Sequence, residues 1–190
     1  FRTFQIAESL QAIHGYPRMT PELRAKVFGL NASQSFRHDL AGFRSETMVG
    51  TQVRYDDIGV GLFPTFQRTA YGTIRHDQVS ETSVGVYARN TTRWTDWMKL
   101  TLGVRGDLFM ASVDSTTQSL NSGYTSAFLA SPKAGLVFGP FNATEFYLNG
   151  GYGFHSNDAR GVMDRVDPST QDYIWGATPL SRTQGAEIGA

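Results

Sequence analysis

The sequence predicts an all-β chain, an antiparallel meander of about eight strands forming part of a transmembrane β-barrel. Three observations carry this prediction. Apolar and polar side chains alternate with period two, which puts one kind on each face of a strand. Several alternating runs pass about ten residues, whereas globular strands usually have about five or six. The connections alternate between tight turns and long polar stretches, as they do between the two ends of an outer-membrane barrel.

Taken in chain order, residues 1–6 form a short candidate strand. Residues 7–26 break the rhythm. Thr20-Pro21-Glu22-Leu23-Arg24 offers an N-cap, a proline at the first helical position and an acidic first turn, so a long loop holding one short helix is expected. In 27–37, Phe28, Leu30, Ala32 and Phe36 oppose Gly29, Asn31, Ser33, Ser35 and Arg37. In 45–55, Val49, Val53 and Tyr55 oppose Glu46, Gln52 and Arg54. In 82–94, Val84, Val86 and Ala88 oppose Gly85, Tyr87, Arg89 and Arg93. The clearest run is 98–110, where Met98, Leu100, Leu102, Val104, Leu108 and Met110 oppose Lys99, Thr101, Gly103, Arg105 and Asp107. In 127–139, Phe128, Ala130, Ala134, Leu136 and Phe138 oppose Ser131, Lys133 and Gly135. In 144–155, Phe146, Leu148, Tyr152 and Phe154 oppose Glu145, Asn149, Gly151 and His155, and 183–190 is a shorter candidate.

Residues 93–97 and 139–143 read as tight turns, and 57–80, 112–126 and 156–182 as long polar loops at the opposite end. Trp94, Trp97, Phe138, Phe141 and Phe146 gather at the turns, where an interfacial aromatic girdle belongs. A soluble antiparallel sandwich also alternates, but strand length and connection pattern favour the barrel. Leu102 then faces lipid, while Arg89, Arg105, Asp107, Lys133, Glu145 and Asn149 face the lumen, where they pair with each other or with whatever fills it.

Composition agrees. Net charge is +0, which gives no bias toward nucleic acid, and there are no cysteines for disulfides or thiolate metal sites. Mean hydropathy is −0.29, and no apolar run approaches the roughly 18 residues of a membrane helix. A barrel needs none, because its alternation averages to mild hydropathy. The chain opens on Phe1-Arg2-Thr3 without a visible signal peptide and closes in mid-alternation, so 1–190 is expected to be a partial barrel domain cut at both ends.

Particular strings carry a family resemblance. Ser131-Pro132-Lys133-Ala134-Gly135-Leu136-Val137-Phe138-Gly139-Pro140 resembles a strand and turn found late in TonB-dependent receptor barrels. The run from Thr144-Glu145-Phe146 to Ala159-Arg160-Gly161 comes after it as in those receptors, and Pro179-Leu180-Ser181-Arg182-Thr183-Gln184-Gly185 resembles their next strand. Upstream, 82–107 with its Trp94-Thr95-Asp96-Trp97 turn also fits. The resemblance implies active uptake of a scarce nutrient, such as a ferric siderophore, across the outer membrane of a Gram-negative bacterium. It implies a barrel of about 22 strands around a plug. It also implies as partners outer-membrane lipid, a small-molecule nutrient and, through a plug domain not seen in this sequence, the TonB energy-transducing complex. A passive pore or a small closed barrel are the alternatives.

Candidate ligand contacts lie at the last long loop. His155, Asn157, Asp158 and Arg160 cluster at its start, and Tyr173 and Trp175 add aromatic surface. Mouth loops are where barrel specificity usually lies, and this mixture suits a polar, partly aromatic ligand. His and carboxylates also suit metals, but local Asn/Asp turns explain them more simply, and no metal or cofactor is expected. No enzyme is expected either. His155-Ser156-Asn157 holds hydrolase residue types consecutively, and neighbours on a strand point to opposite faces.

Overall fold

The computed structural model describes residues 19–66, 69–167 and 170–190. The candidate strand at 1–6 and the segment 7–18 lie outside them. The strands are β1 (Met19–Leu40), β2 (Phe43–Phe66), the stub β3 (Thr69–Ala70), β4 (Arg75–Thr95), β5 (Met98–Ser115), β6 (Gly123–Phe141), β7 (Thr144–Ser156) and β8 (Leu180–Gly189). They form one antiparallel eight-stranded sheet in the order β1-β2-β4-β5-β6-β7-β8, with β3 on the end of β2. Each long strand pairs with the one before it, so the fold is a meander. β1 and β8 are its two edges, and the small closed barrel is not formed among the described residues.

The tight turns share one end. Ala41 and Gly42 have φ of 52° and 85°, and Asn142 and Ala143 have 49° and 68°. Two consecutive positive φ values give the hairpin turn whose twist matches its flanking strands, and Gly42 takes such a value without strain. The third tight turn is at Asp96 and Trp97. There Trp97 lies 6.2 Å from Phe138 and 6.4 Å from Phe141, while Phe43 lies 4.8 Å from Trp94, all ring to ring. Connections 67–74, 116–122 and 157–179 lie at the opposite end.

Two expectations fail. Residues 20–24 are strand, not helix, and Pro21 stands opposite Leu62 in register. β1 is an edge, where a missing N–H is tolerated, and a long partner strand outweighs a local helix signal. Most of 57–80 is also strand rather than loop, because β2 runs for 24 residues and β4 for 21. A tilted membrane crossing takes only about 9–11 residues, so about half of this hairpin stands beyond the membrane as a collar. The other long connections are shorter than expected too: β5 reaches Ser115 before a 3-10 turn, Ser119–Asn121, and β6 starts at Gly123.

In the membrane half the outward face is apolar and bare. Leu100, Leu136, Leu148 and Ile188 stand in one register row across four strands, and Leu102, Val104 and Phe128 are exposed nearby. A contiguous apolar face of this kind is what lipid covers. In the collar the sides exchange. On β5, Phe109, Ala111 and Val113 point inward and are buried, while Ser112 and Asp114, which alternate with them, are exposed. They form a small core with Val79 and with three residues of the loop 157–179.

Candidate functional site

The loop between β7 and β8 is built on that core. It opens with Asp158, whose side chain accepts the Arg160 N–H at 2.9 Å and caps the five-residue helix α1 (Ala159–Met163). Ala159, Val162 and Met163 pack onto Phe109, Ala111, Val113 and Val79. Burying several such side chains contributes about 1.5–3 kcal/mol for each large one, which explains why this long connection lies across the inner wall.

Beyond α1, two polar clamps fix the loop. Asn121 is 1% exposed; its amide donates to the Val166 carbonyl at 2.8 Å and accepts from the N–H groups of Arg165 and Val166 at 2.8 and 2.9 Å. Arg75 bonds Asp77 on its own strand and both oxygens of Asp164, at 2.7 and 3.1 Å. The return path is pinned by Ile174 donating to Arg165 O and Ala177 donating to Gly161 O, at 2.9 and 2.8 Å. Gly176 presses against α1 so closely that a Cβ there would meet the Val162 carbonyl at 2.1 Å.

The candidate contacts divide on this frame. Asn157 staples the ends of the loop: its amide donates to Thr178 O at 2.7 Å and to Ser181 Oγ at 3.2 Å. Asp158 and Arg160 bond each other, with a guanidinium contact at 2.5 Å. Burial works to raise the Asp158 carboxyl, but the Arg160 hydrogen bonds and charge outweigh it and hold the group below its ordinary value. His155, the penultimate residue of β7, lies on the lumenal side, exposed, opposite Ser181. Tyr173 and Trp175 are 84% and 99% exposed, so two rings project from a segment whose backbone is pinned. Among the described residues no group of three or more His, Asp or Glu is placed to hold a metal ion.

Asn121, Arg75 and Asp164 escaped the sequence reading as a unit, because they meet across 45 and 89 residues of chain. Lower in the lumen, Arg105 holds Asp107 at 2.8 Å, donates to Gln52 at 2.6 Å and lies 5.9 Å from the Tyr87 ring. Its guanidinium lies over Gly85, where a Cβ would come within 2.1 Å of it. The structure therefore brings together a docked mouth loop with an aromatic tip, above a polar wall.

No curated protein matches the chain. Residues 4–190 match the family model described as TonB dependent receptor-like, beta-barrel, and the chain therefore belongs to the β-barrel of the TonB-dependent receptors, a family of outer-membrane transport receptors.

Proposed function

We propose that this chain is part of an active-uptake receptor for a scarce nutrient such as a ferric siderophore, in the outer membrane of a Gram-negative bacterium. Energy would come from the TonB complex through a plug domain. In this reading the tip formed by Tyr173 and Trp175, with His155 below it, takes part in ligand capture at the outer mouth, and Asn157, Asp158 and Arg160 hold the loop that presents it. The observation that carries the reading is a pair of exposed rings on a pinned backbone. Rings fixed before binding cost little ordering entropy when a ligand stacks on them.

The test uses the complete receptor, with ferric siderophores as probes. Tyr173→Ala with Trp175→Ala is expected to weaken binding about tenfold or more, given typical aromatic contact energies, and to leave the melting temperature unchanged. Undiminished affinity for a siderophore that the parent receptor binds removes the tip from the site. A receptor that takes up another nutrient and no ferric siderophore overturns the substrate class.

A further inference from the structure

The apolar outward face belongs to β5 and the strands after it, and it changes character on β4, β2 and β1. The row of Leu100, Leu136, Leu148 and Ile188 continues across the sheet as Thr92, Ser45 and His38. The next row toward the mouth passes from Leu102 to Asn90 and Thr47, and Gln34 stands one row further on, opposite Val49. Alternation puts all of these side chains on the outward face. Phe43 and Trp94, 4.8 Å apart ring to ring, lie on their turn side, and Val49 and Ala88 lie on their mouth side. An aromatic girdle marks the membrane boundary, so the polar group falls within the lipid-facing span. Its members are bonded to one another. Ser45 and Thr92 share a hydroxyl contact at 2.8 Å, Thr92 donates to Asn90 Oδ1 at 2.7 Å, and Asn90 donates to Thr47 Oγ1 at 2.9 Å. His38 Nε2 meets the same Thr47 hydroxyl at 3.3 Å, and the Gln34 amide donates to the Ser35 carbonyl at 3.1 Å. An amide offers two donor hydrogens and an oxygen with two lone pairs, so Asn90 and Gln34 keep bonding capacity beyond these contacts. His38 and Gln34 are exposed.

We infer that this patch is an interface, within the membrane, between two copies of the receptor packed through β1, β2 and β4. Hydrocarbon gives a hydroxyl or an amide neither donor nor acceptor, so acyl chains are the poorest cover for it. A charged partner would carry its charge into lipid, and the patch holds no carboxylate, lysine or arginine to meet one. The fitting partner is an uncharged surface with both donors and acceptors, and the patch is itself such a surface. An isologous contact requires self-complementarity of this kind, since an amide of one copy both donates to and accepts from an amide of the other. Ala32, Thr51 and Ala88 lie beside the amides on the same face. Small side chains let two walls in a membrane come within hydrogen-bonding reach. The inference is independent of ligand capture and uses the side of the wall away from the lumen.

Photo-cross-linking of the complete receptor in native outer membranes tests it, with a benzophenone amino acid placed at Ala32, beside the patch, or at Leu148, on the apolar side. The Ala32 probe is expected to give a product of twice the receptor's mass that contains receptor peptides alone, with the link mapped to β1, β2 or β4 of the second copy. The Leu148 probe is expected to give lipid adducts. Gln34→Leu with Asn90→Leu should lower the yield from Ala32 about fivefold or more, the factor that one lost hydrogen bond is worth. Leucine suits a lipid-facing position, and the heat-resistant migration of the folded barrel on gels checks that the variant assembles. The inference is overturned if Ala32 gives no receptor–receptor product, if it links to a different protein, or if Ala32 and Leu148 give that product equally, as random crowding would. An unchanged yield in the folded double variant overturns it too, and should that variant not fold, the comparison of the two probe positions decides alone. Siderophore binding plays no part in the readout, so failure of the capture reading and failure of this one are separable.

Discussion

The same strand, β5, obeys opposite rules at its two ends. From Met98 to Leu108 its oily side faces outward and its charged side faces the lumen; from Phe109 to Ser115 the buried side is the inner one and the wet side is the outer. The period never changes, because pleating fixes it. What changes is the solvent on each face. Lipid covers the outside of the lower half. Above it, water covers the outside, and the loop 157–179 supplies an apolar cover on the inside. Period-two alternation thus reports that two faces differ. It does not report which face is wet until something else says where the membrane ends. The collar is an ordinary one-face-buried antiparallel sheet continuing out of a membrane sheet without a break.

The comparison is broken most strongly at the clamp that holds the loop to the collar. Arg75→Met leaves Asp77, which is fully buried, and Asp164 without their shared cation. Removing one partner of a buried ion pair costs about 3–5 kcal/mol. The loss is expected to appear as rapid hydrogen exchange and protease nicking across 157–179, with little change in the membrane strands. If the loop stays protected, the apolar core alone holds it. If the whole sheet loosens instead, collar and membrane half form one cooperative unit.

Side exchange on β5 gives the second test. Leu102→Arg places a charge on the lipid face and should cost about 2–4 kcal/mol near the midplane. Ser112→Arg changes the same face ten residues on, in the collar, where the outward side chain is exposed, and should cost almost nothing. Equilibrium unfolding of both variants of the complete receptor in bilayers makes the comparison. Equal penalties would place Ser112 in lipid and move the membrane boundary outward.

The fold was legible wherever local pattern and solvent agree. The turns at Asp96 and at Asn142, the lipid face of Leu102 and the lumenal face of Arg105 all come from period two and turn chemistry. The collar hairpin was not legible, although Ile58, Val60 and Val79 alternate in the right phase, because Gly59, Gly61, Pro64 and the surrounding polar residues read as loop. The helix signal at Thr20 was a true local preference overruled by pairing with β2. At the mouth, residue types singled out His155 on β7 and Tyr173 and Trp175 on the loop as candidates, but not the division of labour among the residues around them. Asn157 and Asp158 look like ligand contacts by type, and their hydrogen bonds hold the loop. Asn121 offered no local signal, since its meaning lies wholly in backbone groups of a segment distant in sequence.

The smallest expected effect concerns that division of labour. Asp158 caps α1 and holds Arg160, and its carboxyl sits below its ordinary value of 3.8. A carboxyl lowered by folding contributes stability that is complete above the unfolded value and fades as pH falls through the folded one. The Asp158 contribution is therefore insensitive to pH near neutrality and weakens only in acid below 3.8. The Asp158 side chain is 54% exposed, so solvent screening limits the contribution to the small range of exposed pairs, about 0.2–1 kcal/mol. A nitroxide placed by Trp175→Cys in the complete receptor reads the tip's mobility as pH is lowered. The parent should gain mobility in acid, while Asp158→Asn should be slightly more mobile at neutral pH and show a flatter acid response. Identical profiles would mean that the aromatic tip is held by Asn121, Arg75 and the apolar core without help from the cap.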